Sequence, residues 1–145
     1  MDEDAFPFSH TLRVRYSEID GQKVVYNSHY LTYLDVAITE YFRNLGIAFL
    51  ESSAFDIALV KATLEFKRPA RLDDLLDVWV SIPRLGTSSF TARFRISPHK
   101  ERGENDEPCL EAEVIYVSYS QEEGRAVPIP GWVRERIQSF EVAPR

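Results

Sequence analysis

The chain has 145 residues, 44% of them hydrophobic, and 17 Lys and Arg against 23 Asp and Glu give it a formal net charge of −6. That length supports one hydrophobic core and not two, so residues 1–145 are read as a single domain, and the acidic balance argues against a protein whose main work is holding nucleic acid. No apolar run reaches bilayer length, the start Met1-Asp2-Glu3-Asp4 is acidic where a secretory leader is basic, and the one cysteine, Cys109, allows no internal disulfide; a cytoplasmic protein without a membrane span is expected.

Thr11 to Tyr16 alternates Leu12 and Val14 with Arg13 and Arg15, the period of a strand with one wet face. The loop Asp20-Gly21-Gln22-Lys23-Val24-Val25-Tyr26 follows, and a helix begins near Asn27. From Leu31 the apolar residues Leu34, Ile38, Phe42 and Leu45 recur at three- and four-residue steps, one stripe of a helix that Gly46 closes. Tyr30, Tyr33 and Tyr41 interleave with this stripe and read first as core packing, second as walls of a pocket. Four β-rich stretches come next, Ile57 to Phe66, Leu75 to Pro83, Ser88 to Ser97 and Cys109 to Ser120. Gly86 turns the second into the third, a polar loop from Pro98 to Pro108 precedes the fourth, and Gly124 turns a last hairpin. Pro128 and Pro130 lead into a short helix around Trp132 to Ser139. One long helix early and a long antiparallel series after it predict an α+β fold, a sheet wrapped around a helix.

Chemistry concentrates at the loop before the helix. The first amides of a helix lack internal acceptors and carry partial positive charge, so the helix start at Asn27 can hold a developing oxyanion while Asp20 attacks or activates water. Ester and thioester hydrolysis need that pair. An Asp-Gly dipeptide is also a plain turn whose carboxylate bonds its own backbone.

Tyr16-Ser17-Glu18-Ile19-Asp20 through Val24-Val25-Tyr26-Asn27-Ser28-His29-Tyr30-Leu31 resembles the signature of the 4-hydroxybenzoyl-CoA thioesterase family of hotdog-fold acyl-CoA thioesterases. The segment from Leu64 to Asp74, the turn Leu85-Gly86-Thr87-Ser88-Ser89 and the ending Val127-Pro128-Ile129-Pro130 follow in that family's order, so the resemblance spans residues 9 to 138. It implies the hotdog architecture, an antiparallel sheet wrapped around one long central helix. It also implies Asp20 as the catalytic carboxylate, the Asn27 backbone amide as donor to the thioester carbonyl, and a homodimer or homotetramer with active sites between subunits. Two positions depart from the pattern: many relatives have glycine where Lys23 stands, and histidine or tyrosine where Asn27 stands. The Asn27 amide survives that change. Lys23 is either a solvated lysine or a cation acting on Asp20 or on a phosphate.

The reaction expected is hydrolysis of an acyl-CoA thioester, with Asp20 as nucleophile or general base and no cofactor. Tyr26, His29 and Tyr30 are candidate substrate contacts near the helix start; His29 reads first as a surface or interface residue and second as a general acid or substrate contact. Between Lys61 and Arg95 seven basic residues face four acidic ones, a local excess suited to coenzyme A or to a solvated sheet. Arg68, Arg84 and Ser88, in its turn, are the candidate contacts there. Glu40 ranks behind Asp20 because it lies off the apolar stripe, and Asp35 reads as a carboxylate bonded to nearby backbone or an arginine. His10, His29 and His99 lack metal-ligand spacing, and no metal is expected. The rival classes are a hotdog hydratase or dehydratase, which needs an Asp and a His together, and a non-catalytic acyl-thioester-binding hotdog protein.

Overall fold

The computed structural model describes residues 5–49, 55–99 and 107–144. Strands β1 (Phe8–Arg13), β2 (Ile57–Phe66), β3 (Leu75–Leu85), β4 (Ser89–Pro98), β5 (Leu110–Ser120) and β6 (Arg125–Ala126) form one antiparallel sheet in the order β1-β3-β4-β5-β2, with β6 pairing the end of β5. Helix α1 (Asn27–Asn44) lies against β1 and β3, and α2 (Gly131–Val142) packs beside it.

The two-residue period of the strands builds the core. Leu76, Val78, Val80 and Ile82 of β3, Phe90, Ala92, Phe94 and Ile96 of β4, and Leu110, Ala112, Val114 and Tyr116 of β5 are all buried on the face toward α1. The helix answers with Tyr30, Tyr33, Leu34, Ala37, Ile38, Tyr41 and Phe42. The three tyrosines are therefore core residues. Leu31, counted with the apolar stripe from sequence, lies outside it at 37% exposure. Gly46, at φ +80°, ends α1. The second helix is fastened by polar bonds as well as by Val133 and Ile137: Glu141 accepts from the Tyr41 hydroxyl at 2.6 Å and from the Ile82 amide at 3.0 Å.

Several boundaries differ from the sequence expectation. The first strand runs Phe8–Arg13, not Thr11 to Tyr16, because its register on β3 spans Phe8 opposite Val80 to Arg13 opposite Leu75. Tyr16–Glu18 is instead a 3₁₀ turn, closed where the Glu18 carboxylate takes the Arg15 amide at 2.9 Å. Strand β3 continues two residues past Pro83 through an irregularity between Ser81 and Arg84, and α2 extends to Val142. The loop expected from Pro98 to Pro108 lies in part outside the described residues.

Candidate active site

Asp20 opens a tight turn. The Lys23 amide donates to its carbonyl at 2.9 Å, and the Gln22 amide donates to its Oδ1 at 2.8 Å. One carboxylate oxygen is thus used as the turn chemistry of Asp-Gly predicts, while the other has no hydrogen-bond partner among the described residues. The turn is held to the chain after β2. Val25 donates to the Ala70 carbonyl at 2.9 Å, Val24 bridges to Arg71, and the Tyr30 hydroxyl accepts from the Ala70 amide at 3.2 Å.

Lys23 adopts φ +64°, the left-handed region that glycine occupies freely. This gives a physical reason for glycine at that position: a Cβ there costs about 1 kcal/mol. Lys23→Gly is accordingly expected to raise stability, by less than about 1 kcal/mol because glycine also frees the unfolded chain. A urea midpoint that falls instead would mean the lysine side chain holds the loop.

At the helix start Tyr26 is the N-cap, with its own amide bonded to the Glu18 carbonyl at 3.0 Å and its carbonyl taking the His29 amide at 2.9 Å. The amides of Asn27 and Ser28 are left without an acceptor among the described residues. They carry the positive end of an 18-residue helix. Tyr26 is exposed and meets the His29 ring edge to face at 6.5 Å. His29 is half-buried, and Tyr30 is buried against Tyr33 and Phe66.

Glu18, which carried no role in the sequence reading, holds this arrangement in place. It is 3% exposed, takes the Arg15 guanidinium on Oε2, and accepts the Tyr33 hydroxyl at 2.8 Å on Oε1. Burial by itself would raise its pKa, but the bonds from Arg15 and Tyr33 prevail and hold the carboxyl below its usual range. Burial, then the neighbouring Glu18 carboxylate, push the Tyr33 phenol well above its usual range. The Arg15–Glu18 spacing of three was visible in the sequence. The Tyr33 contact, fifteen residues on, was not.

The remaining candidates are dispersed. Arg68 and Arg71 line a cavity of about 270 Å³ with Pro98 and Cys109, at the same end of the sheet as the Asp20 loop. Arg84 and Ser88 belong to the opposite end: Leu75 to Arg84 is nine steps along β3, roughly 30 Å. One copy of the chain does not bring Arg68 and Arg84 together. Nor do the basic residues form one face, since Lys67 lies 3.7 Å from Glu65 and 3.8 Å from Glu111, and Arg95 is buried. The turn holding Ser88 is fixed from α2, where Arg134 donates to the Gly86 carbonyl at 2.6 Å. Glu40 pairs with Arg43 one turn along α1. Among the described residues the exposed Asp35 carboxylate makes neither the backbone bond nor the arginine pair expected of it, and its carbonyl takes the Thr39 hydroxyl at 2.8 Å. Among the described residues no three His, Cys, Asp or Glu side chains gather as a metal site, and no helix is long and apolar enough to cross a membrane.

The fold thus sets a loop carboxylate seven residues before two helix amides that have no acceptor among the described residues, on an antiparallel sheet that packs against one long helix. The sequence model of the Thioesterase-like superfamily matches residues 14–137, and the chain belongs to that superfamily. It is similar to the acyl-CoA thioester hydrolase YbgC of Escherichia coli O6:H1, 37% identical over 90 residues that cover 59% of this chain and 67% of the relative. A 1,4-dihydroxy-2-naphthoyl-CoA hydrolase of Synechococcus elongatus is 24% identical over 131 residues, 88% of this chain and 89% of the relative. Among solved structures, a thioesterase from Thermus thermophilus complexed with coenzyme A and Zn superposes with a TM-score of 0.80 at 27% identity, covering 97% of this chain and 98% of that one. The chain is a thioester hydrolase with the hotdog fold.

Proposed function

We propose that the protein hydrolyses an acyl-CoA thioester to the free acid and coenzyme A, as a single hotdog domain working in the cytoplasm. The observation that carries this is the pairing of a half-exposed Asp20 carboxylate with the unbonded Asn27 and Ser28 amides on one short, pinned segment. The acyl carbonyl docks on the Asn27 amide. Asp20 attacks the carbonyl carbon or draws the proton from water that does, and negative charge gathers on the carbonyl oxygen, where the helix end stabilises it. The C–S bond then breaks and the thiolate of coenzyme A leaves. Thiolate is a good leaving group, so no strong general acid is required. Tyr26 and His29 flank the docked carbonyl, while Tyr30 is buried in the core and supports the loop through the Ala70 amide.

The separation of Arg68 from Arg84 and Ser88 has an explanation in assembly. Strand β2 is an edge whose outer backbone groups lack a partner among the described residues, and it exposes Leu59, Val60 and Phe66. Antiparallel pairing of two β2 strands about a two-fold axis sets the Ile57 end of one beside the Phe66 end of the other. Ser118, opposite Ile57, donates to the Ser88 carbonyl at 2.8 Å, so Ser88 of one copy approaches the Asp20 loop of the second. Coenzyme A then spans both copies. Light scattering at micromolar concentration is expected to give a dimer or tetramer; a stable, active monomer would contradict the shared site.

A panel of acyl-CoA and acyl-carrier-protein thioesters, read by release of free thiol, tests the reaction. Hydrolysis of acyl-CoA supports the reading. Binding without thiol release points to a thioester-binding protein, and hydration of an enoyl thioester to the hydratase branch.

A further inference from the structure

The turn that carries Asp20 is one arm of a small ladder built from three short segments. The Asp20 amide donates to the Val24 carbonyl at 2.9 Å, and Ile19 bridges Val25. On the other side of Val24 and Val25 runs the segment from Ala70 to Leu72. The Val25 amide donates to the Ala70 carbonyl at 2.9 Å, Val24 bridges Arg71, and the Leu72 amide donates to the Lys23 carbonyl at 3.4 Å. Each rung fixes the next, so the place of Asp20 depends on the place of Ala70.

Ala70 is held in turn by Tyr30. Its amide donates to the Tyr30 hydroxyl at 3.2 Å, and the two residues are buried, at 0% and 3% exposure. Tyr30 lies in the first turn of α1, three residues after Asn27. This one bond therefore joins the far segment of the ladder to the turn of helix that offers the Asn27 and Ser28 amides. The ring is fixed separately, edge to face against Tyr33 at 6.0 Å and Phe66 at 5.6 Å. The other tie between loop and helix, from the Tyr26 amide to the Glu18 carbonyl, enters ahead of Asp20 and acts on the opposite segment of the ladder.

We infer that Tyr30 is a positioning residue for the reaction: by holding Ala70 to the helix, its hydroxyl sets where the Asp20 carboxylate stands relative to the Asn27 amide. A buried hydroxyl already engaged by a backbone amide is not a substrate contact. Removing it leaves the Ala70 amide buried without an acceptor, and the segment shifts or opens to find one. A displacement on the order of 1 Å between reacting groups can cost about a hundredfold in rate, so a partial shift is expected to cost about tenfold. The inference rests on the thioesterase reading above, with Asp20 as its carboxylate, and adds the group that places it.

The test is Tyr30→Phe, which keeps the ring and its packing, assayed on an acyl-CoA that the wild type hydrolyses and at a temperature where both proteins are folded. Its kcat is expected to fall about tenfold, with KM within about twofold of the wild type. In an Asp20→Asn background the same change is expected to cost little more, because the charge it positions is already gone and the two losses do not add. Amide hydrogen exchange at Asp20 and Val25 is expected to quicken in Tyr30→Phe, while exchange at Ala37 and Ile38 in the middle of α1 stays unchanged. An unchanged kcat, an effect confined to KM, or losses that multiply in the double variant overturns the inference. Exchange that quickens equally along the helix also overturns it, since the bond then serves the stability of the whole fold. In each of those cases a large loss in Asp20→Asn leaves the thioesterase reading standing. If Asp20→Asn keeps full activity, the role of Asp20 fails and this inference fails with it.

Discussion

Asp20→Asn is expected to lower thiol release roughly a hundredfold or more while the folded protein still binds substrate. The substitution keeps the side chain's shape, and its oxygen can still take the Gln22 amide, so the turn need not move. What disappears is the charge that attacks the carbonyl or draws the proton. The loss is therefore expected in kcat, with KM little changed. Glu40→Gln is the control: its carboxylate is engaged by Arg43 on the surface of α1, and near wild-type turnover is expected. Full activity in Asp20→Asn, or a comparable loss in Glu40→Gln, would move the chemistry out of the loop.

Glu18→Ala is expected to cost about 2 kcal/mol of stability, or about 6 °C in melting temperature. Most of this falls on the bond from Tyr33, whose hydroxyl would be left buried and unpaired. Arg15 contributes less, because its side chain is largely in water and the pair is screened. A pH effect follows. The Glu18 pKa is depressed in the folded state from an unfolded value of 4.5. Its stabilisation is therefore fully present above about pH 4.5 and is lost as pH falls through the lower folded value. Denaturant titrations across that acid range should show the wild type losing stability more steeply than Glu18→Gln. Parallel curves would mean that the Glu18 carboxyl titrates alike in the folded and unfolded chain. Activity is expected to fall with it, since the side-chain bonds of Glu18 fix the turn whose backbone carbonyl holds the Tyr26 amide at the helix cap.

Local periodicity set most of what was legible in the chain. Leu34, Ile38 and Phe42 identify the buried side of α1, and the alternation in β3, β4 and β5 identifies the inner face of the sheet, because each pattern repeats within the reach of a single element. Asp20 and the helix start at Asn27 were visible for the same reason: turn and cap chemistry involves neighbours along the chain. The family signature carried the architecture's name and the expected roles, and the superfamily match supports the fold and the class of reaction. Groups that meet across the fold were beyond that reach. Tyr33 finds Glu18 and Ala70 finds Tyr30 only once α1 lies across the sheet. The strands themselves set Arg68 and Arg84 at opposite ends of the sheet, although the sequence shows both simply as part of one basic stretch. Charge along a sequence says nothing about distance in space. Only the register of an antiparallel sheet converts one into the other.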